Sequence, residues 1–134
     1  MHTRPEIIDA LTGEIRRFVR QLRSDVREAN GEAGPTLSEM KILRRINQSP
    51  CRAKDIAAEL STGAPYATAV IRRLEKSGMI RRVASDRDRR EIVLSITSAG
   101  LKALTNADAV LRGVVRKRLG PLSGDEITSL LGYF

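Results

Sequence analysis

Through the first thirty positions, apolar residues recur at three- and four-residue steps. Ile8, Leu11, Ile15, Phe18, Leu22, Val26 and Ala29 fall on one stripe, which predicts a helix from Pro5 to about Asn30. Pro5 suits a first helical turn, where its missing N–H has no partner to lose. Gly31 to Pro35 breaks the pattern. Within this helix five arginines face five carboxylates, so its charges cancel. What needs a partner is the stripe, and the partner is either the chain's own core or a second subunit.

A second helical pattern opens at Thr36. Glu39 follows three residues on and completes a capping box, in which side chain and backbone satisfy each other's free groups. Leu37, Met40, Leu43 and Ile46 form its apolar face, and Ser49-Pro50 ends it. A short helix is expected from about Arg52 to Leu60, with Ile56, Ala57 and Leu60 inward and only a weak cap at Arg52. Ser61-Thr62-Gly63 reads as a tight turn. Pro65 then enters a third helix of this group, which Ser77-Gly78 closes after Lys76. On that helix Ala67, Val70, Ile71 and Leu74 share one face. Pro65, Ala69, Arg72, Arg73 and Lys76 point away from it, with Tyr66 and Thr68 flanking.

The period then changes. Met79 to Val83 is a short β-prone run, and Glu91 to Ile96 alternates with Ile92, Leu94 and Ile96 on one face. The residues between them, Ala84 to Arg90, make a hairpin loop. Thr97 and Gly100 open a helix to about Leu119, carrying Leu101, Leu104, Leu111, Val114, Val115 and Leu119. A second capping box, Ser123 with Glu126, starts a last helix with Ile127, Leu130, Leu131 and Phe134. The order is helix, turn, helix, then a hairpin, framed by helices at both ends. The fold expected is mainly α with a small β-hairpin wing.

Charge adds a direction. Of a net +8, residues 64–90 hold +5, from eight basic and three acidic side chains. That stretch covers the third helix and the hairpin tip, so the excess sits on adjacent elements and points to a polyanion. Basic residues beyond a small-residue helix start suit a helix entering a groove while arginines reach phosphates. Arg87, Arg89 and Arg90 at a hairpin tip suit a narrow minor groove, whose negative potential attracts inserted arginine. Asp86 and Asp88 are expected to brace the loop. One histidine and one cysteine leave no basis for a triad, a disulfide or a multi-cysteine metal site, and no glycine-rich phosphate loop is present. No enzyme activity and no cofactor are expected. Cys51 falls in an apolar slot and reads as core filler. No apolar run approaches a membrane span, and the opening residues turn amphipathic at once, so a cytoplasmic protein without membrane contact is expected.

Four segments in this order and spacing, TLSEMKILRRI, DIAAEL, ATAVIRRLEKSGMIRR and DRREIVLSITSAG, resemble the MarR family of winged helix-turn-helix transcriptional regulators. The resemblance spans nearly the whole chain. It implies a homodimer whose terminal helices, 1–35 and 98–134, interlock as a dimerisation region, with 36–97 as the DNA-binding lobe. Ile8, Leu11, Ile15, Leu111, Val115, Leu119, Ile127, Leu130 and Leu131 are then candidate dimer contacts. Thr62, Pro65, Tyr66, Thr68, Ala69, Arg72, Arg73, Lys76, Arg87, Asp88, Arg89 and Arg90 are candidate contacts to double-stranded DNA. The family also implies a pseudo-palindromic operator, repression, and relief by a small aromatic or phenolic ligand bound between lobe and dimer region. Two positions depart from the pattern. Ala69 stands where many members carry a polar DNA contact, and Arg72 where many carry an aspartate that pairs with the wing arginine. A dimeric winged-helix scaffold that binds protein partners, with the arginines serving only solubility, is the competing reading.

Overall fold

The computed structural model describes residues 1–60 and 63–134. Six helices and one hairpin follow in chain order: α1 (Arg4–Asn30), α2 (Leu37–Gln48), α3 (Ala53–Glu59), α4 (Ala64–Lys76), β1 (Ile80–Ala84), β2 (Ile92–Ile96), α5 (Ser98–Leu119) and α6 (Gly124–Leu131). This is the mainly α fold with a small hairpin that the pattern predicts.

The expected capping boxes form at Thr36/Glu39 and Ser123/Glu126. A third lies at Thr3/Glu6, where Thr3 N–H donates to Glu6 Oε2 at 2.7 Å and starts α1 ahead of Pro5. The cap of α3 differs from expectation. Arg52 offers no acceptor, but Asp55 Oδ2 takes the Arg52 N–H at 3.2 Å, and the guanidinium holds both oxygens of that carboxylate at 3.0 Å. Half of a capping box is therefore present, closed by an ion pair.

The core lies where α2, α4, the hairpin and α5 meet. Met40, Ile42, Leu43 and Ile46 pack with Ile56, Val70, Ile71, Leu74, Ile80, Leu94, Leu104 and Ala107. All four inward residues expected of α4 are buried. Cys51 belongs to the same cluster, and its backbone makes a β-bridge to Leu94, with N–O distances of 2.7 and 3.3 Å. That bridge adds a third strand position to the hairpin, whose register pairs Ile80 with Ile96 and Ala84 with Ile92. It also corrects the expected alternation. Leu94 is buried, and so is Val93 on the opposite face, whereas Ile92 is 50% exposed because the hairpin outruns the core at that point.

The terminal helices are only partly covered. In α1, Val26 alone is buried, and Leu22 packs partly against the core. Ile8, Leu11 and Ile15 are each more than half exposed, and Ala29 is exposed too. No residue of α6 is buried. Leu111 and Val114 of α5 lean on the chain's own core, while Val115 and Leu119 are half-buried.

Candidate nucleic-acid interface

With Ala67, Val70, Ile71 and Leu74 inward, α4 turns Pro65, Tyr66, Thr68, Ala69, Arg72, Arg73 and Lys76 to the surface. Its N-cap, Gly63, makes no side-chain capping bond. Thr62 lies outside the described residues. Along the exposed face the side chains grade from small to basic, as expected. Arg73 does not project freely, because its Nη2 lies 3.4 Å from Glu39 on α2. Arg72 and Lys76 make no ion pair among the described residues.

At the tip of the hairpin the backbone is held by its own side chains. Ser85 Oγ accepts the Arg87 N–H at 3.2 Å, and Asp88 Oδ1 accepts the Arg90 N–H at 3.0 Å. Asp88 also lies 3.4 Å from Arg90 Nε. Asp88 thus braces the loop, as expected. Asp86 makes no ion pair or side-chain hydrogen bond among the described residues, so that part of the expectation is corrected. Arg87 and Arg89 stand exposed and unpaired among the described residues. The side chain of Arg90 is 93% exposed, and the Asp88 contact leaves its guanidinium largely open to solvent.

Several residues that frame this surface carried no local sequence signal. Arg81, on β1, is exposed and pairs with Ser95 at the end of the hairpin away from its tip. Glu75 on α4 receives Arg82 of β1, with Nε at 3.0 Å and Nη2 at 2.9 Å. Arg52 lies 3.1 Å from Glu91 at the base of the loop. These are contacts between elements, and no i+3 or i+4 spacing announces them.

Cys51 sits behind the hairpin, 5% exposed. Burial pushes its thiol above the ordinary value, and the nearby Arg45 opposes this less strongly. A thiol held protonated in the core is a filler rather than a nucleophile. No helix among the described residues is long and apolar enough to cross a membrane.

A family model described as the MarR family matches residues 36–92, the segment from α2 to the start of β2. The chain is 30% identical over 106 residues to the HTH-type transcriptional repressor Rv2887 of Mycobacterium tuberculosis, covering 78% of this chain and 76% of that one. It is 31% identical over 83 residues to the uncharacterised HTH-type transcriptional regulator YfiV of Bacillus subtilis, which covers 61% of this chain and only 48% of YfiV. Among solved structures, the transcriptional repressor CouR, bound to a 23-mer DNA duplex, superposes with a TM-score of 0.76 at 24% identity, covering 99% of this chain and 95% of CouR. Helix order, hairpin position and these likenesses agree: the chain belongs to the MarR family of HTH-type transcriptional regulators.

Proposed function

We propose that the protein is a homodimeric repressor that binds a pseudo-palindromic operator and releases it when a small ligand binds. The observation that carries DNA binding is the run of exposed cations with no ion-pair partner among the described residues, Arg72 and Lys76 on α4 and Arg87 and Arg89 at the hairpin tip. A solubility role asks for charges of both signs spread over the surface. Here one sign gathers on a helix and the hairpin that follows it. In this reading Pro65, Tyr66, Thr68 and Ala69 approach base edges in the major groove, and Arg72, Arg73 and Lys76 reach phosphates. Arg90, steadied by Asp88, enters the adjacent minor groove with Arg87 and Arg89. CouR, a structure of the same fold, is bound to a 23-mer DNA duplex, which supports DNA as the partner.

Dimerisation follows from the bare apolar stripes. Ile8, Leu11 and Ile15 on α1, with Ile127, Leu130 and Leu131 on α6, are all at least one-third exposed. Two copies interlocking 1–35 with 98–134 would cover them and leave each 36–97 lobe free for a half-site. The repressor assignment rests on Rv2887, whose name carries that role. For the ligand, the α1–α2 connection and α4 flank an open concavity of roughly 590 Å³, whose lining includes Pro35, Leu74 and Met79 and the charged Arg27, Glu32, Glu39 and Arg73. That size suits a small organic molecule. An occupant there would touch Arg73 on α4 and so bias the position of that helix.

Selection of bound duplexes from a random DNA pool, with light scattering on the free protein, tests the reading. A dimeric mass and enrichment of a two-fold symmetric sequence are expected. With about 6–10 phosphates neutralised, affinity should fall by roughly 10³ to 10⁵ between 50 and 200 mM salt. Binding that ignores salt would instead favour the dimeric protein-binding scaffold, and a monomer would overturn the dimer in either reading.

A further inference from the structure

We propose that Arg52 and Glu75 are positioning residues for the wing: through the ion pairs Arg52–Glu91 and Glu75–Arg82 they tie its two strand segments to two different helices and so set its angle. The proposal rests on the DNA-binding reading for its consequence, but its geometry stands in the free protein.

An isolated two-stranded hairpin is marginal in water, so a projecting wing needs external support to hold one direction. Its backbone is anchored to the body at the Cys51–Leu94 bridge. Beyond that point the hairpin outruns the core, as the exposed Ile92 shows. Arg72 and Arg90 carry like charge and cannot tie α4 to the tip.

Two acidic side chains supply what is missing. Glu91 closes the tip loop with its backbone, its N–H donating to Asp88 O at 2.9 Å and its carbonyl accepting from Ser85 N–H at 2.8 Å. Its side chain reaches back to Arg52, 3.1 Å away. Arg52 is itself fixed, because Asp55 holds its guanidinium with two bonds at the start of α3. The position of the loop neck is thereby passed to α3. On the other strand Arg82 donates to Glu75 of α4 at 3.0 Å. Each carboxylate is about one-third exposed, so each pair is partly screened yet not fully solvated.

The sign of the effect separates positioning from plain charge. Removing a carboxylate beside a DNA-binding surface removes repulsion and should tighten binding. Removing one that positions the wing should weaken it. Asp86, exposed and unpaired among the described residues, is the control for charge alone. Titration of Glu91→Gln, Glu75→Gln and Asp86→Asn against the duplex selected by the parent is expected to give about two- to five-fold weaker binding for the first two, from the size of partly exposed ion pairs, and equal or tighter binding for the third. Amide exchange in the free protein provides a readout without DNA. The Ser85 and Glu91 amides should exchange about two- to five-fold faster in Glu91→Gln, and the hairpin amides likewise in Glu75→Gln. The swap Glu75→Arg with Arg82→Glu should restore parental exchange in the hairpin. Tighter binding in all three single variants, or parental exchange in both glutamine variants, would overturn the proposal. A parent that selects no duplex removes the DNA-binding reading, and the exchange rates then decide the ties by themselves.

Discussion

Gly100, at the third position of α5, is the residue whose replacement tests the packing most sharply. A Cβ there would lie 2.0 Å from the Met79 carbonyl oxygen and 2.8 Å from its carbon, with Ile96 Cγ1 at 2.9 Å. The obstructing atoms are mostly backbone, so no rotamer change relieves the clash. A carbon-to-oxygen contact needs more than about 3 Å, so α5 or the start of β1 must move by over about 1 Å. Two bonds span that junction: Thr97 N–H to Met79 O at 3.0 Å and Thr97 Oγ to Gly78 O at 2.6 Å. Overpacking costs about 1–3 kcal/mol, and each strained hydrogen bond adds about 0.5–1.5 kcal/mol. Alanine returns at most about 1 kcal/mol through its better helix propensity. Gly100→Ala is therefore expected to destabilise by about 2–4 kcal/mol, a large share of a small domain's stability. Urea unfolding at fixed protomer concentration, followed by far-UV circular dichroism, measures it. Propensity alone predicts the opposite sign, so an unfolding midpoint at or above that of the parent would refute the steric argument.

At Gly113 a Cβ meets nothing within 4 Å among the described residues, and Gly113→Ala should stabilise by up to about 1 kcal/mol in the same assay; a loss instead would place a partner protomer against that position. Acid should unfold the protein in a definite window. The Arg52 hydrogen bond holds Asp55 below the usual carboxylate range, the Arg45 hydrogen bond does so for Glu59, and the Ser123 backbone N–H, with its side chain, for Glu126. Because the unfolded chain binds these protons first, their contribution is complete at neutral pH and is lost as pH falls through the folded values, below about pH 4. Urea midpoints should be level from pH 5 to 7 and drop below pH 4; a level profile down to pH 3 would remove these pairs from the account. Cys51, buried and with its thiol held protonated, should react with a thiol reagent only at the rate of unfolding, and Cys51→Ser should cost about 1–3 kcal/mol by burying a hydroxyl. For the interface, Arg90→Ala should weaken binding to most duplexes alike, while Thr68→Ala should lose less overall but relax preference at particular bases, read by competition with variants of the selected site.

What could be read ahead of the structure was local or periodic. Thr36 and Glu39 lie three residues apart, so their capping box follows from spacing alone, and the inward face of α4 follows from a 3.6-residue period. The cap at Arg52 departs from the local pattern because residue 52 itself carries no acceptor. The carboxylate that serves lies at Asp55, and the arginine strengthens it by pairing. Ile92 departs from the alternation for a different reason. Alternation gives the two faces of a strand, but it does not say where the core beneath stops, and here it stops before Ile92.

The functional surface divides along the same line. Its cations were visible because composition and order suffice to gather them on α4 and the next loop. The acidic residues that hold them in place were not, since Glu75 and Arg82 are seven residues apart and Arg52 and Glu91 thirty-nine. Their meeting depends on how the hairpin lies across α3 and α4. The departure at residue 72 acquires a physical sense from this. An arginine there adds a cation to the exposed face of α4 and cannot hold the wing arginine by opposite charge. The ties proposed for the wing are instead the pairs Arg52–Glu91 at the neck of the tip loop and Glu75–Arg82 farther down the hairpin, whose carboxylates are about one-third exposed. In the proposed reading, attraction to DNA and orientation of the wing fall to different residues, so a change of binding through charge and one through wing angle differ in sign.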